Sequence, residues 1–217
     1  MASEQIENYL KNIYKLQESE GKVTTTSLSE RLRISPPSVT EMIKKLGDEG
    51  SVTHTPYKGV ELTVEGRKKA LHIIRRHRLW ELFLTEVLKY PWDEIDEEAE
   101  RLEHITSERL EQRLDEALGY PRKDPHGHII PTAGGDIEEA ALLSLADVEP
   151  GTTVTVARVS DSSPEILQYA AKLGITLSRK IKVKDRVAFD GSLRVEVGRK
   201  EQFVSSKLAK NIFVEET

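Results

Sequence analysis

Glu100, Glu103 and His104 stand at i, i+3 and i+4 inside an acidic run from Asp93 to His104. On a helix that spacing stacks two carboxylates and an imidazole on one face, a turn apart. Such a face repels itself unless a cation sits between its members, so the surrounding chain must either leave it in water as a solvated acidic stripe or fold a cation site around it. Oxygen donors with one nitrogen suit a divalent first-row metal.

The formal net charge of -5 is unevenly spread: residues 1 to 76 carry 13 Lys+Arg against 10 Asp+Glu, residues 77 to 142 carry 7 against 17, and residues 143 to 217 carry 12 against 10. A mildly basic end beside a strongly acidic centre fits a nucleic-acid module joined to a cation-binding or dimerising module. With no cysteine in the chain, disulfides, thiolate metal sites and cysteine nucleophiles are excluded, and any metal falls to His, carboxylate, amide or backbone oxygen. The N-terminus lacks a basic segment followed by an apolar one, and no stretch approaches the ~20 apolar residues of a membrane span. A cytoplasmic protein that does not enter a membrane is expected.

Ile6, Leu10, Ile13, Tyr14 and Leu16 recur at helical spacing and predict an amphipathic helix over 4–17, ended by Gly21. A second helix follows over 24–33, capped by Thr25 or Thr26. Ser35-Pro36-Pro37-Ser38 then supplies an N-cap and a first-turn proline for a third helix with Val39, Met42, Ile43 and Leu46 as its apolar stripe. This is helix, turn, helix. The exposed face of the third helix carries short hydroxyls at its start and cations behind, the arrangement of a recognition helix. Ser35, Pro37, Ser38 and Thr40 are the candidates for base edges, and Lys44 and Lys45 for phosphates. Two short β-prone runs, 52–55 and 60–63, flank Pro56-Tyr57-Lys58-Gly59 and read as a hairpin wing with Tyr57 and Lys58 at its tip as further DNA contacts.

Thr63 caps a long helix running into the 80s, on which His77 and Glu81 are four apart and share a face. Pro91 ends it. Asp93 caps the next, whose apolar stripe from Ile95 to Leu118 predicts one helix ending at Gly119, able to pack within the chain or across a two-fold dimer axis.

Taken together, Glu7-Asn8-Tyr9-Leu10, Ser35-Pro36-Pro37-Ser38-Val39-Thr40, His77-Arg78-Leu79-Trp80-Glu81 and Glu100-Arg101-Leu102-Glu103-His104 resemble the diphtheria-toxin-repressor family of iron- or manganese-dependent transcriptional regulators. The resemblance extends over essentially the whole chain. It implies one metal site from Asn8, Glu100, Glu103 and His104, and an ancillary site drawing on His77 and Glu81, with Asp124 and His126 from the Pro- and Gly-rich loop after Gly119 and Asp161 or Glu165 from the C-terminal domain. His128 reads as a bystander. The Glu-x-x-Glu-His form resembles the manganese-responsive branch, in which the first-helix ligand is typically aspartate; Asn8 departs from that, and Lys11 stands where some such members have a further carboxylate.

Asp136 to Leu145 reads as a short helix. From Thr152 onward β-branched residues alternate in three runs around a helical insertion at 164–173, which resembles the SH3-like domain of longer family members. The expected fold is mainly α with small β: a winged helix-turn-helix over 1–75, a helical metal-binding and dimerisation domain over 76–142 and an SH3-like domain over 143–217. The expected function is a homodimeric repressor of a palindromic double-stranded DNA operator with Mn(II) or Fe(II) as co-repressor. The alternatives are a carboxylate-type metalloenzyme and a winged-helix regulator that senses no metal. An enzyme is disfavoured because the residue three before His104 is Arg101, and no His-Glu-x-x-His or Gly-x-Ser-x-Gly pattern occurs.

Overall fold

The computed structural model describes residues 2–55, 59–138 and 141–216, with side chains from Glu4 onward. The first helix, α1 (Ala2–Glu20), buries Tyr9, Leu10, Ile13, Tyr14 and Leu16. Thr24 and Ser27 form a reciprocal capping box at the start of α2 (Thr25–Leu32), and Arg33 closes it in the left-handed conformation. Ser35 caps α3 (Pro36–Asp48) by accepting the Ser38 N–H, with proline at the first turn, where its missing donor costs nothing. Val39, Ile43 and Leu46 are buried on its inner face, and each such side chain contributes about 1.5–3 kcal/mol of burial.

Strands β1 (Val52–Thr55) and β2 (Gly59–Leu62) pair antiparallel, Val52 opposite Leu62, completing a winged helix-turn-helix. Pro56, Tyr57 and Lys58 lie outside the described residues. Helix α4 (Val64–Glu86) starts where Thr63 Oγ1 accepts the Gly66 N–H. Gly66 allows its first turn to lie against Ser51, whose carbonyl oxygen would be 1.9 Å from an added Cβ.

The single helix expected from Asp93 to Gly119 is two: α5 (Asp96–Glu103) and α6 (Glu108–Ala117). The apolar stripe runs through the break, so periodicity hides it. Hydroxyls make it: Thr106 Oγ1 donates back to the Leu102 carbonyl at 2.6 Å, and Ser107 Oγ accepts the Leu110 N–H to cap the new helix. The helix expected over Asp136–Leu145 is also corrected. Residues 136–138 form a loop in which Thr132 N–H donates to the Asp136 carbonyl, Leu143–Ser144 is strand β3, and Leu145–Asp147 is a 3₁₀ turn capped by Ser144.

The C-terminal part contains β4 (Thr153–Val159), α7 (Pro164–Lys172), β5 (Lys180–Arg186), β6 (Leu193–Val197), β7 (Lys200–Val204), α8 (Ser206–Ala209) and β8 (Ile212–Glu216). Its antiparallel sheet has the order β3-β8-β4-β5-β6-β7 and an SH3-like form. Alternate residues of β5, β6 and β8, Ile181 and Val183, Val195 and Val197, and Ile212 and Val214, fill one core with Leu167 and Ala170 of α7. On β4 the register shifts between Val156 and Arg158, a bulge that keeps both Val156 and Val159 inward.

The chain packs as two compact units. One comprises Met1–His77, Glu100–Arg113 and Ile130–Glu138, and the other Arg78–Ala99, Leu114–Ile129 and Glu139–Thr217. Among the described residues no helix is long and apolar enough to cross a membrane.

Candidate functional site

Glu100 and Glu103 lie on α5, and α1 delivers the groups that meet them. Lys11 Nζ donates to Glu100 Oε2 at 2.6 Å and to Glu103 Oε1 at 2.5 Å. The side chain of Lys11 is 2% exposed and that of Glu103 is fully buried, so this ammonium is the cation that the acidic face requires. Glu103 also takes His77 on its second oxygen, Nδ1 to Oε2 at 2.6 Å. His104, just past the end of α5, lies with Nδ1 2.7 Å from Glu7 Oε2 and Nε2 2.9 Å from Asn8 Oδ1. Its Nε2 is 3.4 Å from Glu103 Oε1.

Burial alone pushes the Lys11 ammonium toward neutrality, but Glu103 and Glu100 outweigh it and raise its pKa above the usual lysine value. Burial likewise works against the Glu103 carboxylate, and His77 and Lys11 together hold its pKa below the usual range.

The structure therefore brings Asn8, Glu100, Glu103 and His104 together and adds Glu7 and Lys11. His77, grouped by sequence with Glu81, places its Nδ1 on Glu103. The i, i+4 spacing to Glu81 could not reveal this, because it fixes a helix face and says nothing of what packs against that face.

A second cluster forms where α4, the loop after α6 and the segment after β4 converge. Asp124 Oδ1 accepts the backbone N–H of His126 at 2.8 Å and of His128 at 2.9 Å, wrapping the loop around the carboxylate. Gly127, at φ +94, lets this loop touch β4: an added Cβ would lie 2.2 Å from the Ala157 carbonyl oxygen. The Val159 N–H donates to the His126 carbonyl and pins the loop to the strand. His126 Nε2 donates to the Trp92 carbonyl at 2.7 Å, which fixes the tautomer and leaves Nδ1 as an acceptor.

That Nδ1 is 3.6 Å from Glu81 Oε1. Glu81, His126 and Asp161 each present a ligand atom within 4.8 Å of the others, and Asp124, His126 and His128 do the same. His126 is 1% exposed and Asp124 3%. His126 Nδ1, His128 Nδ1 and Asp124 Oδ2 are buried and find no hydrogen-bond partner among the described residues. Orphaned donor atoms this deep are costly unless something else satisfies them, and a divalent cation would.

The nearest fixed charge is Arg78, Nε 3.6 Å from Asp124 Oδ2, which also donates to the Ile129 carbonyl. Burial works against the Asp124 carboxylate, yet His128, Arg78 and His126 hold its pKa down, at about 2. His126 moves the other way: burial opposes its protonation, but Glu81 and Asp124 raise its pKa above the usual imidazole value. Glu165, the alternative to Asp161, is exposed at the start of α7, and the Ser163 hydroxyl holds its pKa down. His128, read from the sequence as a bystander, also presents a ligand atom within 4.8 Å of those of Asp124 and His126. Its spacing of two from His126, across a glycine, was the available signal.

At the start of α3 and along it, Ser35, Pro37, Ser38, Thr40, Lys44 and Lys45 are all exposed, while Val39, Ile43 and Leu46 are buried. Thr40 Oγ1 donates to the Pro36 carbonyl and Ser35 Oγ lies 2.9 Å from Ser38 Oγ. Tyr57 and Lys58 lie outside the described residues.

Residues 1–60 match the family model of the iron dependent repressor N-terminal DNA binding domain, 63–132 that of its metal binding and dimerisation domain, and 143–216 that of the FeoA domain. The iron-dependent repressor IdeR of Mycobacterium leprae is 35% identical over 157 residues, 69% of this chain and 68% of that protein. The diphtheria toxin repressor of Corynebacterium diphtheriae is 30% identical over 154 residues, 71% and 66% of the two chains. Among solved structures, a manganese-dependent transcriptional repressor in complex with manganese superposes with a TM-score of 0.90 at 41% identity, covering 98% of this chain and 100% of that one. ScaR with bound Cd2+ gives 0.84 at 35%, covering 98% and 99%.

Proposed function

Since the chain belongs to the iron-dependent repressor family, a family of metal-dependent DNA-binding repressors and not of enzymes, we propose that it represses transcription in the cytoplasm with Mn(II) or Fe(II) as its regulatory metal. Its partners are DNA and a second copy of the chain, and the two-fold symmetry of such a dimer calls for a palindromic operator. The modules are the DNA-binding one over 1–75, the metal-binding and dimerising one over 76–142 and the SH3-like one over 143–217. Ile105 and Leu110, 77% and 44% exposed beside the break between α5 and α6, give the dimer an apolar patch to cover.

The observation that carries the metal reading is the set of buried donor atoms without hydrogen-bond partners around Asp124, His126 and His128. Glu81, Asp124, His126 and Asp161 would hold one cation. Asn8, Glu100, Glu103 and His104, with Glu7, would hold another. The metal would supply a compact double positive charge that neutralises carboxylates which otherwise repel.

The protein's own part is to convert that neutralisation into geometry. Glu7 and Asn8 ride on α1, whose opposite face shares a core with Val39, Ile43 and Leu46 of α3. What grips α1 therefore bears on the recognition helix. Ser35, Pro37, Ser38 and Thr40 would meet base edges, and Lys44 and Lys45, with Tyr57 and Lys58 of the wing, the backbone. A metal that favours the DNA-competent state by ~1 to 3 kcal/mol raises operator affinity about 5- to 150-fold.

One observation favours a narrower version: Lys11 already supplies a cation to Glu100 and Glu103, which would leave metal control to the second cluster alone. Titrating Mn(II), Fe(II) and Zn(II) while following operator affinity tests the proposal, and counting bound metal separates the versions. Two ions per protomer support the full reading and one supports the narrower. Affinity should also fall steeply with salt, and Lys44→Ala or Lys45→Ala should weaken binding to all sequences and reduce the salt slope by about one. DNA binding that a chelator leaves unchanged overturns the metal-dependent reading.

A further inference from the structure

The four residues Glu81, Asp124, His126 and Asp161 leave one neighbour unexplained. His128 is held over the second cluster by its own backbone, since its N–H is bound to Asp124 Oδ1 at 2.9 Å and Gly127 before it is pressed against β4. Its ring lies between two carboxylates: Nδ1 is 3.3 Å from Asp124 Oδ2, and Nε2 is 3.8 Å from Asp161 Oδ1. The side chain is 14% exposed. Nδ1 is buried and finds no hydrogen-bond partner among the described residues, although a carboxylate oxygen, itself without one, lies close by. An ordinary surface histidine in this position would turn a nitrogen to water or close the hydrogen bond. Asp124, His126 and His128 each present a ligand atom within 4.8 Å of the others, a spacing that suits donors set around a common point. The His126 ring stands 6.4 Å from that of His128 at an interplanar angle of 77°, so the two imidazoles are not stacked and can face one centre from different directions.

We propose that His128 is a fifth ligand of the second cluster, through Nδ1, so that this site takes a divalent first-row cation with two imidazoles and three carboxylates. The inference rests on the reading above that the second cluster binds metal. The second imidazole sets the selectivity of the site. Three carboxylates with one imidazole form an oxygen-rich set suited to Mn(II), whereas two imidazoles favour metals further along the series, Fe(II) and Zn(II) among them. His128 is therefore a specificity-determining residue, and its loss shifts preference back toward manganese. Arg78, 3.6 Å from Asp124 Oδ2, offers a competing positive charge to the same carboxylate and opposes a weakly bound ion.

The test uses the full-length protein carrying Glu103→Gln, which weakens the first cluster, and compares His128→Gln, His128→Asn and Glu81→Gln in that background. Two readouts are taken: calorimetric titration with Mn(II) and with Zn(II), and the number of nitrogens coupled to bound Mn(II) in pulsed electron paramagnetic resonance. The expected result is two coupled nitrogens falling to one in both His128 variants. Zn(II) affinity should fall at least about tenfold, and Mn(II) affinity less. If the His128 variants keep the nitrogen count and both affinities while Glu81→Gln loses the ion, His128 is a bystander and the proposal is overturned with the metal reading intact. If Glu81→Gln also leaves stoichiometry and affinity unchanged, the second cluster is not a metal site, and both fall.

Discussion

The two clusters use similar residue types and solve the same electrostatic problem in opposite ways. Around Glu103 the chain supplies its own cation: Lys11 lies between two carboxylates, His77 bonds to the second oxygen of Glu103, and His104 bonds to Glu7 and Asn8. Around Asp124 the donors are brought together and left open, with His126 Nδ1, His128 Nδ1 and Asp124 Oδ2 lacking hydrogen-bond partners among the described residues. The first arrangement is stable without a ligand and must give something up to accept one. The second leaves three buried atoms without hydrogen bonds, a cost that Arg78 and the histidines around Asp124 offset in part, until a ligand arrives. Counting acids and histidines cannot separate them, because what distinguishes them is whether the counter-charge closes hydrogen bonds, as Lys11 does at 2.5 and 2.6 Å, or stands off, as Arg78 does 3.6 Å from Asp124 Oδ2.

The largest expected effect is on the closed cluster. Lys11→Met removes the cation from a fully buried carboxylate and should destabilise the metal-free protein by about 3–5 kcal/mol in urea unfolding. Much of the loss should return on adding Mn(II), because a metal then has no tethered rival. A variant as stable as the parent would mean that the ammonium does not satisfy these carboxylates.

Asp124→Asn probes the open cluster. The amide oxygen still accepts the His126 and His128 N–H groups, so the loop should keep its shape, while the metal-free protein loses the attraction of His128 and Arg78 for the carboxylate. The stabilisation given by metal at a hundredfold over Kd, about 2.7 kcal/mol, should disappear from the melting curve. Retention of the full metal-induced shift would place the ion elsewhere.

A smaller change is expected from Asn8→Asp, which sets a charged oxygen beside His104 Nε2. Metal binding at the Glu100, Glu103 and His104 group should tighten about tenfold, ~1.4 kcal/mol, with less metal needed for DNA binding; Glu103→Gln should do the reverse. Unchanged isotherms for Asn8→Asp would detach α1 from metal sensing.

The smallest effect is a pH dependence. His126 has a pKa raised above its ordinary 6.5 by Glu81 and Asp124 against the cost of burial. A raised folded-state value stabilises the metal-free protein below pH 6.5, and that contribution is lost as pH rises through the raised value. The melting temperature of metal-free protein should therefore decline across that window, and the decline should flatten in His126→Gln. An equally steep decline in the variant would assign it to another group.

Much of this was legible in residues whose roles are local. Ser35 and the glycines mark helix ends by short-range hydrogen bonding, and Val39, Ile43 and Leu46 mark a buried face by period, so the winged module could be drawn from the sequence, although the cap of α2 is Thr24 rather than Thr25 or Thr26. Glu100, Glu103 and His104 were visible as a group because one helix spaces them. What stayed hidden depends on contacts distant in sequence or on competition within a turn. Lys11 could be recognised as a missing carboxylate, but not as the cation filling the gap, since its partners lie 89 and 92 residues away. The break at 104–107 escaped because hydroxyl bonds at Thr106 and Ser107 overrode an unbroken apolar stripe. Strands β7 and β8 escaped because charged residues dilute their alternation. The placement of β8 between β3 and β4 is set by the whole sheet.

The two oxygens of Asp124 answer to different masters. Oδ1 holds two backbone amides and gives the loop its shape, while Oδ2 faces the cluster. This restricts how the site can drift under selection. Glutamate would preserve the charge, but its longer arm would not suit the amides two and four residues past it. Cysteine would offer a softer ligand yet leave both N–H groups wanting. Asparagine would keep the loop and lose the anion. A lineage that changes its metal through this position must therefore first find another way to fold the turn, whereas His128, which contributes only its ring, can be exchanged in a single step.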